Sequence, residues 1–132
     1  MANYKDLIVF QKSDELAYQI YKATDKFPKS ELFGLTSQIR RAALSIPTNI
    51  VEGYARKSKK ELAQFVNIAL GSHAETEYLF DFSKRLGYFK SDTSHIESLL
   101  GRGRQTSVEF PSFPLTFALL TYELMNYPGG QQ

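Results

Sequence analysis

The stretch from Phe33 to Arg56 constrains the fold more than any other part of this chain. At about 100° per residue, Ile39, Ala42, Ala43, Ile46, Ile50 and Gly53 share one face, while Arg41, Ser45, Thr48, Asn49, Glu52 and Arg56 share the other. The pattern predicts a helix that gives one side to a core and offers the other to a partner. Pro47 removes a backbone donor and crowds the carbonyl of Ala43, so a kink is expected. The apolar pattern stays in phase through Ile50, so the helix is expected to continue past it.

The flanking segments are also helical in pattern. From Leu7 to Lys26, apolar residues recur at three- and four-residue spacing, and Phe27-Pro28 ends the run. Ser58-Lys-Lys-Glu61 is a capping-box pattern that opens a third helix, expected to run to Leu86 with Gly87 as its stop. Leu62, Phe65, Ala69 and Phe80 lie on one side of its apolar arc. Ile68, Leu79, Phe82 and Leu86 widen that arc beyond what a single contact requires, which makes these four the candidate subunit interface. The alternative is a central position in a monomeric bundle. A second capping-box pattern, Ser94-His-Ile-Glu97, starts a fourth helix. Gly101-Arg-Gly103-Arg cuts it short, and Pro111 and Pro114 disfavour helix in the residues before them. Residues 1–100 thus read as one helical unit and 101–132 as a divergent tail, with a short helix expected over 112–127.

With 132 residues and 42% hydrophobic content, the chain supports a single domain with one core. The absence of cysteine excludes thiolate metal sites and, with no signal-peptide pattern in the first ten residues, makes a cytoplasmic home the expectation. No stretch approaches the roughly 20 apolar residues of a bilayer span.

Catalytic and ligand-binding patterns are weak throughout. His73 and His95 lie in different helices, and no Glu-x-x-His pair accompanies them. Glu75 and Glu77 point about 200° apart on a helix and cannot flank one substrate, so each is expected to find an arginine or water. Gly101-x-Gly103 lacks the third glycine and the Lys-Ser/Thr pair of a phosphate loop, and no Gly-x-Ser-x-Gly elbow occurs. The reading is therefore of a protein that is not an enzyme, with no metal and no cofactor.

Charge carries more information than any of these patterns. Between Thr36 and Lys60 lie Arg40, Arg41, Arg56, Lys57, Lys59 and Lys60 against the lone acid Glu52, in a chain whose net charge is only +2. These six are the candidate nucleic-acid contacts: they could track a phosphate backbone, with Tyr54 as a stacking partner. The competing reading is a solvated corner, because Lys59 and Lys60 sit near a helix N-terminus, where positive charge opposes the macrodipole. The row Arg41, Ser45, Thr48, Glu52, Arg56 is open to two readings as well. It is either a solvated face with a Glu52–Arg56 pair or a surface whose short side chains let another backbone approach.

Three blocks carry a family likeness: Phe27-Pro-Lys-x-Glu31-x-Phe-Gly34-Leu-Thr-x-Gln38-x-Arg40-Arg-Ala, Ser45-Ile-x-x-Asn49-Ile-x-Glu52-Gly53, and Ala69-x-Gly71-Ser72-x-x-Glu75. Together they resemble the proteins encoded in intervening sequences of bacterial 23S ribosomal RNA genes, over Tyr4 to Leu100. The resemblance implies an all-α, up-and-down four-helix bundle that assembles into a homopentamer and has no established enzymatic activity. The family is similar in turn to accessory proteins of diversity-generating retroelements, which implies structured RNA or a reverse transcriptase as partner; the hydropathy pattern already argues for no membrane. Its fourth helix continues in leucine-rich sequence, whereas this chain turns to glycine, arginine and proline at Gly101. That departure is of the kind a reading-frame shift near Gly101 produces.

Overall fold

The computed structural model describes residues 3–102. The expected helix over 112–127, and all of the tail beyond Arg102, lie outside these residues. Four α-helices follow a short 3-10 turn at Tyr4–Asp6: α1 (Ile8–Thr24), α2 (Leu35–Ala55), α3 (Lys59–Arg85) and α4 (Ser94–Leu99). A second 3-10 turn, Lys29–Glu31, lies between α1 and α2. Among the described residues there is no strand, and the architecture is an all-α four-helix bundle with a short fourth member.

The second helix organises the others. It packs along both α1 and α3, and α4 closes against α1. All six residues of its expected apolar face are buried, and the helix runs unbroken through Pro47, itself buried. Ile39, Ala43, Ile46 and Ile50 are fully buried and meet Leu16 and Ile20 of α1 and Val66, Ala69 and Phe80 of α3 in one core.

The buried seam of α3 differs from the expected arc. Leu62, Val66, Ala69, His73, Thr76, Phe80 and Ser83 recur at alternating four- and three-residue steps and form it. Three of the seven are polar, and the bonding of the two hydroxyls explains how they can be there. Thr76 Oγ1 donates to the Ser72 carbonyl and Ser83 Oγ to the Leu79 carbonyl, both at 2.7 Å, so these hydroxyls reach the core already satisfied by the preceding turn. Burial pushes the His73 pKa down from its ordinary value, keeping the ring neutral inside the bundle. Phe65, expected in the seam, lies half-buried on its flank. Leu79, a candidate interface residue, is only 5% exposed and belongs to the core.

Glycine ends two of the helices. At φ 72°, Gly87 lets its own amide reach the Lys84 carbonyl at 2.9 Å while the Tyr88 amide reaches Ser83 at 3.1 Å, a Schellman stop for α3 where the sequence placed it. Gly101, at φ 89°, repeats the motif after α4: Gly101 bonds to Ser98 at 3.0 Å and Arg102 to Glu97 at 2.8 Å. Arg102 then clamps the chain to α3. Its guanidinium binds both carboxylate oxygens of Asp81, one of them at 2.6 Å, and lies 3.5 Å from Glu77. That clamp holds the Asp81 carboxyl below its ordinary pKa.

Capping follows the sequence in part at α3, where the serine half of the box forms, and departs from it at α4. Ser58 Oγ accepts from the Glu61 amide at 3.1 Å. The pattern at Ser94–Glu97 does not form a capping box, because the hydroxyl of Ser94 donates instead to Asp92 Oδ2 at 2.5 Å. The position before α4 is Thr93, with no side-chain cap, and Glu97 pairs with Lys84.

Helices α2 and α3 approach closely at Gly53, where an added Cβ would stand 2.9 Å from Phe65 Cβ and 3.0 Å from Leu62 Cδ1. Overpacking of this kind costs about 1–3 kcal/mol, and the better helix propensity of alanine returns at most about 1. Gly53→Ala is expected to lower the urea midpoint with an unchanged slope, and an unchanged or raised midpoint would refute the close packing assigned here.

Candidate nucleic-acid interface and polar cleft

The six basic candidates fall into three different environments. Arg40 is turned inward on α1: Nε donates to Thr24 Oγ1 at 2.7 Å, Nη2 donates to the Tyr21 carbonyl at 3.1 Å and lies 3.3 Å from Asp25, and the guanidinium sits over the Tyr21 ring at 4.9 Å. A cation placed on the last carbonyls of a helix complements its macrodipole. Arg40 is therefore a latch between α1 and α2, with Nε and Nη2 already committed.

Arg56, Lys57, Lys59 and Lys60 form the second group, all exposed at the corner joining α2 to α3. The expected Glu52–Arg56 pair does not form. Arg56 follows the last turn in extended conformation, which takes it off the helical register, and its guanidinium stacks over Phe65 at 4.9 Å. Among the described residues no ion pair engages any of the four. Tyr54, expected beside them as a stacking platform, is half-buried and packed on the core.

Arg41 stands alone in the third environment, an open cleft of about 490 Å³ between the N-terminal half of α2 and the middle of α3. Ser37, Gln38, Arg41 and Ser45 line it from α2, Ser72 and Glu75 from α3, with Phe33 at the mouth. A hydrogen bond from Ser72 Oγ to Ser45 Oγ at 2.8 Å forms part of its floor, and Asn49 Nδ2 donates to the Ser45 carbonyl and hydroxyl at 2.6 and 2.9 Å. The expected polar row of α2 thus divides. Arg41 and Ser45 face the cleft, while Thr48 and Glu52 are solvated.

The turn before α2 explains how Phe33 comes to lie outside. Glu31 Oε2 accepts from the Tyr88 hydroxyl at 3.0 Å, and Oε1 faces the Leu35 amide at 3.5 Å, placing a carboxylate at the positive end of α2. Gly34 makes room for it, since a Cβ there would lie 2.8 Å from Glu31 Oε1. Tyr88 is joined to Phe27 at 5.4 Å, and Phe27 to Phe89 at 5.1 Å, so the two loops at this end are packed together. Between these fixed points Phe33 is 94% exposed.

The blocks Phe27 to Ala42, Ser45 to Gly53 and Ala69 to Glu75 now have positions. They build the loop pack, the α1–α2 latch, the α2–α3 contact and the cleft. The family model described as 23S rRNA-intervening sequence protein matches residues 5–107. The chain belongs to that family. No curated protein matches it.

In this 23S rRNA-intervening sequence protein the cleft, like the Arg40 latch, does not follow from the sequence pattern. Its only sequence signals are the four-residue spacing of Ser37, Arg41 and Ser45 and an aromatic residue set between two turns. Ile68, Phe82 and Leu86, the other interface candidates, are exposed along α3 at 51%, 38% and 46%. His95 lies 3.4 Å from Glu15 at the surface, and among the described residues no group of three or more His, Cys, Asp or Glu side chains converges. Glu77 does find an arginine, Arg102. No helix among the described residues is long and apolar enough to cross a membrane.

The latch assigned to Arg40 separates structure from binding. Arg40→Met keeps the stem and strips the donors from Thr24 and the Tyr21 carbonyl. It is expected to cost about 1–3 kcal/mol in denaturant unfolding, with Asp25 contributing little because it is exposed. A stability equal to that of the parent chain would remove the latch.

Proposed function

We propose that this family member is a non-catalytic, cytoplasmic homo-oligomer, a ring of five as the family resemblance implies, that associates with RNA or a ribonucleoprotein through the α2–α3 corner. The observation that carries the reading is the group Arg56, Lys57, Lys59 and Lys60: exposed, without acidic partners among the described residues, and gathered at the start of α3. Cations there oppose the α3 dipole, and a polyanion laid across the corner offsets both that opposition and their mutual repulsion. In a ring, symmetry would repeat this corner around the assembly.

Self-association is supported by the outer face of α3. Ile68, Tyr78, Phe82 and Leu86 are exposed along one side of the helix, with the Tyr78 and Phe82 rings 6.3 Å apart. Gly71 lies on the same side with nothing of its own chain within 4 Å of a built Cβ, leaving space for a neighbouring backbone. The same apolar face favours a second reading, a protein-interaction scaffold or reverse-transcriptase accessory that does not itself touch nucleic acid.

Two measurements divide these readings. Reversing Lys57, Lys59 and Lys60 to glutamate should abolish retention on structured RNA at moderate salt and reduce the slope of log affinity against log salt by roughly 2. Parent protein that ignores RNA at low salt would leave only the scaffold. Gly71→Leu should fold as the parent does yet fall to a smaller particle in light scattering, and an unchanged mass would exclude this face as the subunit contact.

A further inference from the structure

The cleft beside α2 holds three groups that the fold does not use. Phe33 is 94% exposed, a condition in which an aromatic ring loses all of its burial energy. Arg41 and Glu75 line the same cleft, and among the described residues neither forms an ion pair or hydrogen bond. Their neighbours show what commitment looks like, with Arg40 bound to α1, Glu31 to Tyr88 and Ser72 to Ser45. A side chain set that is placed by ordered elements but left without internal work marks a binding site.

The lining decides the class of occupant. The core of a contact between copies is depleted of glutamate and serine relative to the rest of the surface. Here the interior is polar, with Ser37, Gln38, Arg41, Ser45 and Glu75, and the single apolar ring sits at the mouth. That arrangement suits a flat, polar, aromatic ligand that stacks on the ring and bonds through its edge. Arg41 supplies only donors and Glu75, ionised, only acceptors. Among nucleobases, guanine presents the matching pair: N1–H and the 2-amino group for a carboxylate, and O6 with N7 for a guanidinium. Adenine offers no such division. The cleft volume lies within the range of small-ligand sites.

We infer that the Phe33–Arg41–Glu75 cleft is a guanine-preferring site for an unstacked base of single-stranded RNA. The inference rests on the RNA reading above and adds selectivity to it: the lysine corner holds phosphates, and the cleft reads a base.

The test uses the full chain and fluorescein-labelled oligouridines carrying one central guanosine, inosine or adenosine, followed by anisotropy. Guanosine is expected to bind about tenfold tighter than adenosine. Inosine, lacking the 2-amino group, should fall between them. Phe33→Ala should weaken all three RNAs, whereas Glu75→Gln should cut the guanosine preference to about that of inosine while leaving adenosine binding unchanged. Equal binding of the three RNAs, with the lysine reversals still abolishing retention, overturns the cleft and leaves the RNA reading standing. Failure of the parent protein to bind any of them overturns both. A smaller particle in light scattering for Phe33→Ala or Glu75→Gln would instead assign the cleft to a second copy and overturn the inference.

Discussion

A helix has one circumference, and α2 must share its own between two neighbours. Its α1-facing and α3-facing residues together occupy the arc from Leu35 and Ile39 through Ala43, Ile46 and Ile50. Serving both sides requires small residues wherever the partner comes closest. Gly53 lies under Leu62 and Phe65, Ala43 is wholly buried, and Ser45 bonds Ser72 across the gap. The proline is tolerated in this setting because tertiary packing on both flanks holds the helix together through the missing bond. What remains of the circumference is the polar strip that forms the wall of the cleft, so the cleft is a consequence of how α2 divides its surface.

Most of the architecture was legible because periodicity and punctuation agree. Helix α2 emerged with its buried face intact, and Gly87 stopped α3 in the expected place, since a left-handed residue is what that termination requires. The α3 seam was harder to read, for a definable reason. A search for apolar residues passes over Thr76 and Ser83, so the arc drifts toward Ile68, Phe82 and Leu86, while Leu79 is assigned to the wrong side; His73, by contrast, is buried among the apolar positions where the sequence places it. Hydroxyls that bond back to their own helix behave as apolar volume in a core, and nothing in their spelling says so.

Legibility was lower at the candidate site because charge was counted without regard to partners. Six cations in one region look alike until distant residues are brought to them. Thr24 and Tyr21 lie sixteen and nineteen positions before Arg40, and only the packing of α1 on α2 joins them. The distinction between a latch at Arg40 and an open cation at Arg41 therefore depends on which way adjacent side chains of one helix point. The contact at α4 fails similarly: Asp92 captured Ser94 before Glu97 could complete a box.

The brevity of α4 gives the bundle an uneven resistance to opening. Six residues are too few to hold helical geometry alone, so α4 stands on Ile96, Leu99 and Leu100, a surface pair from Glu97 to Lys84, and the Arg102 anchor on Asp81. Its amides belong at the low end of the protection scale in hydrogen exchange, well below those of α2, and its release uncovers part of α1 without disturbing the α2–α3 pair. Among the described residues α2 and α3 thus form a two-helix spine, with α1 latched to it at Arg40 and α4 held by three apolar side chains and the ion pairs at its C-terminal end.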